Sequence, residues 1–264
     1  MKTFRGDIIE FYHRLKNNIP FSFTRFSDGC EAILKNYKLE INNNQVIFGD
    51  TIFNKGFPSI DHKCFDPNKH QHIRHLLLDS FYYQADNYYK GKICKCCVGN
   101  ERYNWMLNEL KDHSNLTWAN LLVNNNYDFF IDVIVPLFKS KEVILICNEN
   151  SLILPVESKS IHKLPFKTSA IFHVGENCIV NDIDLIEDLK DFTGQDSQNR
   201  VYLFSASSLS NILIHQLHQF NNKNTYLNIG TTLNYYLNLP IDRDYLLAKW
   251  KYKQPYGLSH RVCI

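Results

Sequence analysis

The chain has 264 residues, 44% hydrophobic and 21% charged, with 18 Phe and 15 Tyr. That length and composition support a sizeable core and exclude a disordered or collagen-like polymer. Its 29 Lys and Arg nearly balance 27 Asp and Glu, a formal charge of +2, which excludes a dedicated nucleic-acid coat but leaves room for a local basic groove. In chain order, the amphipathic start MKTFRGDIIEFYHRLKNN carries Asp7 and Glu10 where a secretory leader would be apolar. No later stretch reaches the roughly 18–20 apolar residues of a membrane helix. Residues 21–26 (FSFTRF) read as a strand and 30–38 as a short helix. Residues 70–90 read as a long amphipathic helix with Ile73, Leu76, Leu77, Phe81 and Tyr82 on one face. A short strand is predicted over 93–98, a helix over 103–111, and two helical pieces over 117–138, broken at the Asn124–Asn126 run. KEVILIC (141–147) is a buried strand, because its apolar run is too short for a helix and has no polar face. Strand 168–174, helix 182–192, strand 200–205, helix 208–220 and strand 225–229 complete the alternation.

Alternating strands and helices with continuously apolar strands predict an α/β fold: one Rossmann-like domain over residues 1–264, its mostly parallel sheet flanked by helices. Ligands of such sheets bind beyond the carboxyl ends of the strands. Four segments there turn polar directly after an apolar run: 27–31, 148–150, 205–208 and 228–232. In RFSDGCE, Asp28 is placed to cap a helix or meet a ligand, Gly29 permits close approach, Arg25 offers a fork for phosphate oxygens, and Asp28 with Glu31 suits a divalent cation or a ribose. The hydroxyls of SASSLS, including Ser205, Ser207 and Ser208, stand where a helix start either caps itself or receives a diphosphate. Asn148, Asn228, Gly230 and Thr231 occupy the tips of two further strands. The absence of a glycine-rich loop excludes the dinucleotide fingerprint and the P-loop. Cys94, Cys96 and Cys97 lack the matching second pair of a zinc site; His72 and His75, on one helical face, are the better metal alternative. The eight cysteines lie mostly in apolar runs, as in a reduced cytoplasmic protein.

FSFTRFSDGCEAIL resembles the N-terminal signature of the GT-D fold glycosyltransferases, first catalogued as a domain of unknown function. The resemblance continues in LTWANLLVNNNY, VILICNEN, LFSASSLSNIL and NTYLNIGTTLN, in the expected order. It implies a Rossmann-like domain of GT-D type that transfers a sugar from a nucleoside diphosphate to an acceptor hydroxyl. It also implies an Asp-x-Glu element that binds nucleotide and a divalent metal, Mn or Mg. Asp28 matches the Asp, Cys30 stands where the Glu is expected, and Glu31 follows one residue later, a shift of about 100° around a helix. Asn228 replaces an expected Asp, and Ala206-Ser207 a pair ending in glycine. These departures are compatible with a changed donor, a metal-independent enzyme or reduced activity.

The expected donor site comprises Arg25, Asp28, Gly29, Glu31, Asn148, Ser205, Ser207, Ser208, Asn228, Gly230, Thr231 and Arg261, with Arg243 and His260 as further cations. Asp28 and Glu31 are the metal ligands if a metal is used, Glu149 and Asp28 the candidate catalytic carboxylates, and Trp118, Asn120 and Asn124 the acceptor-binding residues. The acceptor is a surface glycan or, in a phage setting, a hydroxymethylated DNA base. The alternative from another class is a non-catalytic nucleotide- or glycan-binding module that retains the fold.

Overall fold

A computed structural model describes residues 4–153, 160, 162–241 and 243–246; the side chains of Phe4, Arg5, Asp28, Cys96, Asn125 and Asp244 lie outside that description, as do His260 and Arg261. Elements are numbered along the chain. A run such as VILICN leaves neither face suited to water, so the strand it forms must lie between two layers. Seven strands do so: β1 (Ser22–Arg25), β6 (Tyr88–Lys92), β7 (Leu116–Trp118), β8 (Val143–Asn148), β9 (Ala170–Val174), β10 (Val201–Phe204) and β11 (Thr225–Asn228). Their order is β7-β6-β1-β11-β10-β8-β9 and every neighbouring pair is parallel.

Alternation along the strands builds two cores. Ile144, Ile146, Tyr202, Phe204 and Tyr226 face α2 (Asp28–Leu34), α3 (Gln71–Tyr82), α7 (Leu185–Thr193) and α8 (Leu209–Phe220). Phe21, Phe23, Val143, Leu145, Cys147 and Leu203 face α1 (Phe4–Lys16) and a helical stretch that begins at α5 (Tyr127–Phe129) and continues through a π turn to Ser140. Handedness assigns the faces. Each step toward the β7 edge (β1 to β6, β6 to β7, β9 to β10, β10 to β11) crosses on the α3–α8 side; steps toward the β9 edge (β7 to β8, β8 to β9) cross on the other. A right-handed crossover permits only that division.

Between α2 and α3 the chain forms a second, antiparallel sheet of order β4-β3-β2-β5, from β2 (Leu39–Ile41), β3 (Val46–Phe48), β4 (Thr51–Phe53) and β5 (Lys63–Phe65). It lies against the carboxyl edge of the main sheet: the Cys64 N–H donates to Asn177 Oδ1 at 2.9 Å, His62 Nδ1 meets Glu176 at 2.5 Å, and Arg243 pairs with Asp61 at 2.9 Å. Asn177 precedes α6 (Cys178–Asn181), which follows β9.

Three expected elements are corrected. The helix predicted over 70–90 ends at Tyr82, and Tyr88–Lys92 is strand β6 despite its two lysines and glycine. Residues 93–98 are no strand: α4 (Lys95–Glu109) begins there, broken at Gly99, where φ is +79°. Part of the expected helical stretch 117–138 is strand β7, with helix resuming only at the asparagine run. No helix among the described residues is long and apolar enough to cross a membrane.

Candidate functional site

β1 and β11 are neighbours, and the chain leaves them for opposite faces, Cys30 and Ile33 joining one core and Ile229 and Leu233 the other, so the loops diverge at the carboxyl edge, the place where such a sheet forms its ligand crevice. One residue organises its floor. Asn211, fully buried in the first turn of α8, accepts from the Arg25 N–H and from Asn228 Nδ2, both at 2.9 Å, and donates to the Arg25 carbonyl at 2.8 Å. Asn228 Oδ1 in turn accepts from the Gly230 N–H at 3.1 Å. The Arg25 side chain runs across this floor and its Nε donates to the Ala119 carbonyl. A Cβ at Gly230 would lie 1.9 Å from Arg25 Nη1, and φ there is +54°; glycine takes that backbone without strain and leaves the end of the Arg25 side chain where it lies. Burial pulls the Arg25 pKa down and nearby Arg243 adds to that, though a neighbouring phenol, Tyr245, opposes it. Among the described residues Arg25 has no carboxylate partner.

The starts of α2 and α8 meet at the same end of the sheet. Cys30 Sγ contacts Ser208 Oγ at 3.3 Å, and a Cβ at Gly29 would lie within 4.0 Å of both Ser208 Oγ and Lys63 Nζ. Lys63 comes from β5 of the antiparallel sheet. Ser207 has φ +50°, the left-handed backbone that a glycine adopts without strain, and its hydroxyl is buried without a partner. The Ser205 N–H is spent on the Ile146 carbonyl at 2.8 Å. Thr231 Oγ1 is hydrogen-bonded to the Tyr245 hydroxyl. Arg25, Gly29, Ser207, Ser208, Asn228, Gly230 and Thr231 thus share one end of the sheet around α8. Asp28 opens α2 in the same place, with its side chain outside the described residues, as is Arg261.

Glu31 and Glu149 stand elsewhere. Glu31 is fully buried, one oxygen accepting from Lys35 at 2.7 Å and the other from Arg102 at 2.6 Å. That carboxylate faces an ion-pair network on α2 and α4. Among the described residues no group of three or more His, Cys, Asp or Glu could hold a metal ion, the histidines of α3 included. Glu149 is exposed at the tip of β8, its Oε1 3.4 Å from where a Cβ on Gly175 would be. β8 lies three strands from β1, about 14 Å at the usual inter-strand spacing, so Glu149 flanks the crevice and does not share its floor. Asn148 spends Oδ1 on the Asn150 N–H at 2.9 Å.

The proposed acceptor residues cluster at β7. Trp118 is buried, its ring covering Lys92 Nζ at 3.8 Å from the centroid, with Tyr103 closing the other side at 4.4 Å. Burial pushes the Lys92 ammonium down to about 8. Trp118 therefore offers no free stacking face. Asn120 donates weakly to Cys94 Sγ at 3.9 Å and keeps a buried Oδ1 without a partner, and Asn124 sits at a turn with φ +52°. Asn211, Lys63 and Lys92 escaped the sequence reading. Asn211 left one signal, a lone amide in the apolar helix SLSNILIHQL; Lys63 left none, because its strand was not predicted.

No family model matches the chain, and no curated protein does. Solved structures share its fold. One, described as "The highly conserved domain of unknown function 1792 has a distinct glycosyltransferase fold", superposes with a TM-score of 0.53 at 14% identity, covering 87% of this chain and 78% of that one. Another, "A New Glycosyltransferase (DUF1792) from Streptococcus sanguinis", gives 0.52 at 12% identity over 87% and 81%. The fold is the one that the sequence resemblance anticipated.

Proposed function

We propose that the chain is a glycosyltransferase that moves a sugar from a nucleoside diphosphate to an acceptor hydroxyl. The observation that carries this reading is the Arg25 guanidinium at the carboxyl edge, without a carboxylate partner among the described residues, on a backbone that Asn211 clamps to the first turn of α8; the fold shared with proteins described as glycosyltransferases supports it. Departure of the diphosphate builds negative charge on its oxygens. A fixed cation and the free N–H groups of a helix start stabilise that charge more in the transition state than in the ground state. The described side chains at the start of α2 do not fit a divalent ion, because both oxygens of Glu31 are taken. No step is therefore routed through a metal. In an inverting transfer, Asp28, at the mouth of the crevice, is the first candidate for the base that takes the acceptor proton; Glu149, on its flank, is the candidate for a larger acceptor reaching across several strands. The acceptor is a surface glycan or a hydroxymethylated DNA base, and the compartment is cytoplasmic.

Turnover of a panel of nucleotide-sugars, with manganese and with a chelator, tests this. Transfer or slow donor hydrolysis that persists in chelator, and that falls at least 100-fold in Asp28→Asn, is expected. A donor that binds without turnover under all conditions would favour the second reading, a binding module, for which the sealed Glu31 is the specific support.

A further inference from the structure

We propose that Lys63, carried by the antiparallel sheet, is a ligand of the donor's diphosphate, gripping it against the first turn of α8. The inference rests on the nucleotide-sugar reading of the crevice and adds to it a residue from outside the main sheet.

Lys63 is not a loose surface side chain. Its neighbours in sequence are each tied to a different part of the carboxyl edge: Asp61 to Arg243, His62 to Glu176, and the Cys64 backbone to Asn177. This anchoring sets Nζ 3.5 Å from the point where a Gly29 Cβ would stand, and Ser208 Oγ is 4.0 Å from that point. Its charge is felt at Cys178, whose Sγ lies 3.4 Å from the Ala206 carbonyl in the turn that starts α8. Among the described residues Lys63 makes no ion pair or hydrogen bond. Two carboxylates on the same edge are otherwise engaged: Asp182 accepts from the Gly175 N–H at 2.8 Å and Glu176 meets His62.

An ammonium held without a counter-ion beside the positive end of a twelve-residue helix is electrostatically unfavourable. The helix start carries no side-chain cap, and the Ser207 hydroxyl next to it is buried and unpartnered. Arg25 is tied to the same turn through its backbone, which Asn211 holds, and its side chain runs to the Ala119 carbonyl and Gly230. An ammonium beside a helix start, with a guanidinium carried by β1 at the same edge, leaves a space suited to an anion of two linked charged groups. A glycine at 29 keeps that space open.

The test is calorimetric titration of ADP, CDP, GDP, UDP and dTDP into the wild-type chain, then of the diphosphate that binds, and of its parent nucleoside, into Lys63→Met, Lys63→Arg and Lys139→Met. Lys63→Met should weaken the diphosphate about ten- to hundred-fold, as expected for one charge-assisted contact. It should leave the nucleoside's affinity and the melting temperature unchanged, while Lys63→Arg keeps most of the affinity and Lys139→Met keeps all of it. Undiminished diphosphate binding by Lys63→Met overturns the proposal and leaves the reading of the crevice intact, as does a loss shared equally by the nucleoside. Failure of the wild type to bind any of the five overturns that reading, and this inference with it.

Discussion

Asn211 shows how much one amide decides. Its side chain satisfies the N–H and carbonyl of Arg25 and the amide of Asn228 at once, so it joins β1 to β11 through α8. Asn211→Leu would leave three buried polar groups without partners, at about 1–3 kcal/mol each, and urea denaturation should show a loss of at least about 3 kcal/mol. Gly230→Ala acts differently: its methyl would meet Arg25 Nη1, so titration of the nucleoside diphosphate should show a loss of about tenfold or more. Unchanged affinity there would mean that the guanidinium has another resting place. Ser207, at φ +50° with an unpartnered hydroxyl, stores strain that glycine lacks; Ser207→Gly should raise stability by about 1 kcal/mol in the same urea assay. The sequence signals were uneven at this scale. The Arg-x-x-Asp-Gly segment was conspicuous, whereas Ser207 looked like a lost glycine although its backbone retains the glycine conformation.

Between α3, α8 and β6 the apolar pattern conceals a buried basic cluster. His215 and His218 on α8 pack against the rings of Tyr83 and Tyr88, beside Ser22, Asp79 and Lys90. Burial pushes both imidazoles down to about 4, against the field of Asp79 at His215, with Lys90 lowering His215 further and His215 lowering His218. Lys90, pushed to about 7 by burial, contacts His113 Nδ1 at 2.6 Å. Because the folded-state histidine pKa values lie below the ordinary 6.5, the unfolded chain binds the extra protons. This part of the stability is whole above pH 6.5 and is lost as pH falls toward 4. At about 1.4 kcal/mol per unit the loss approaches about 3 kcal/mol per imidazole, and melting temperatures from pH 7 to pH 4 should fall steeply. A His215→Gln, His218→Gln double variant should flatten that slope. β6 was hidden from sequence reading for the same reason that it is costly: Tyr-Tyr-Lys-Gly-Lys has no apolar alternation, and its lysines are buried by the sheet around them.

For the whole molecule, the two cores are the two faces of the same strands, so neither can open while the other stays packed. Far-ultraviolet circular dichroism and tryptophan fluorescence, the latter reporting partly on Trp105 and Trp118 on the α4 side, should therefore trace one coincident unfolding transition; separated midpoints would show that the faces unfold independently. The antiparallel sheet was the largest element missed, although its turns were marked. Asn42 Oδ1 accepts from the N–H groups of Asn44 and Gln45, and Gly49 takes φ +60°. Three-residue strands are too short for a period to register.

What the chain order alone determined was the parallel α/β sheet, most of its strands, and the set of polar tips at their carboxyl ends, because burial on two faces and a change of polarity at a strand's end are local properties written residue by residue. Which tips meet was settled only in three dimensions. Strand order brings β1 against β11 and sends β8 three strands away, separating Glu149 from Arg25; packing turns Glu31 into a salt-bridge network, and a short inserted sheet delivers Lys63 to the helix starts. Adjacency between distant segments depends on the summed packing of both cores, which no single stretch of sequence carries.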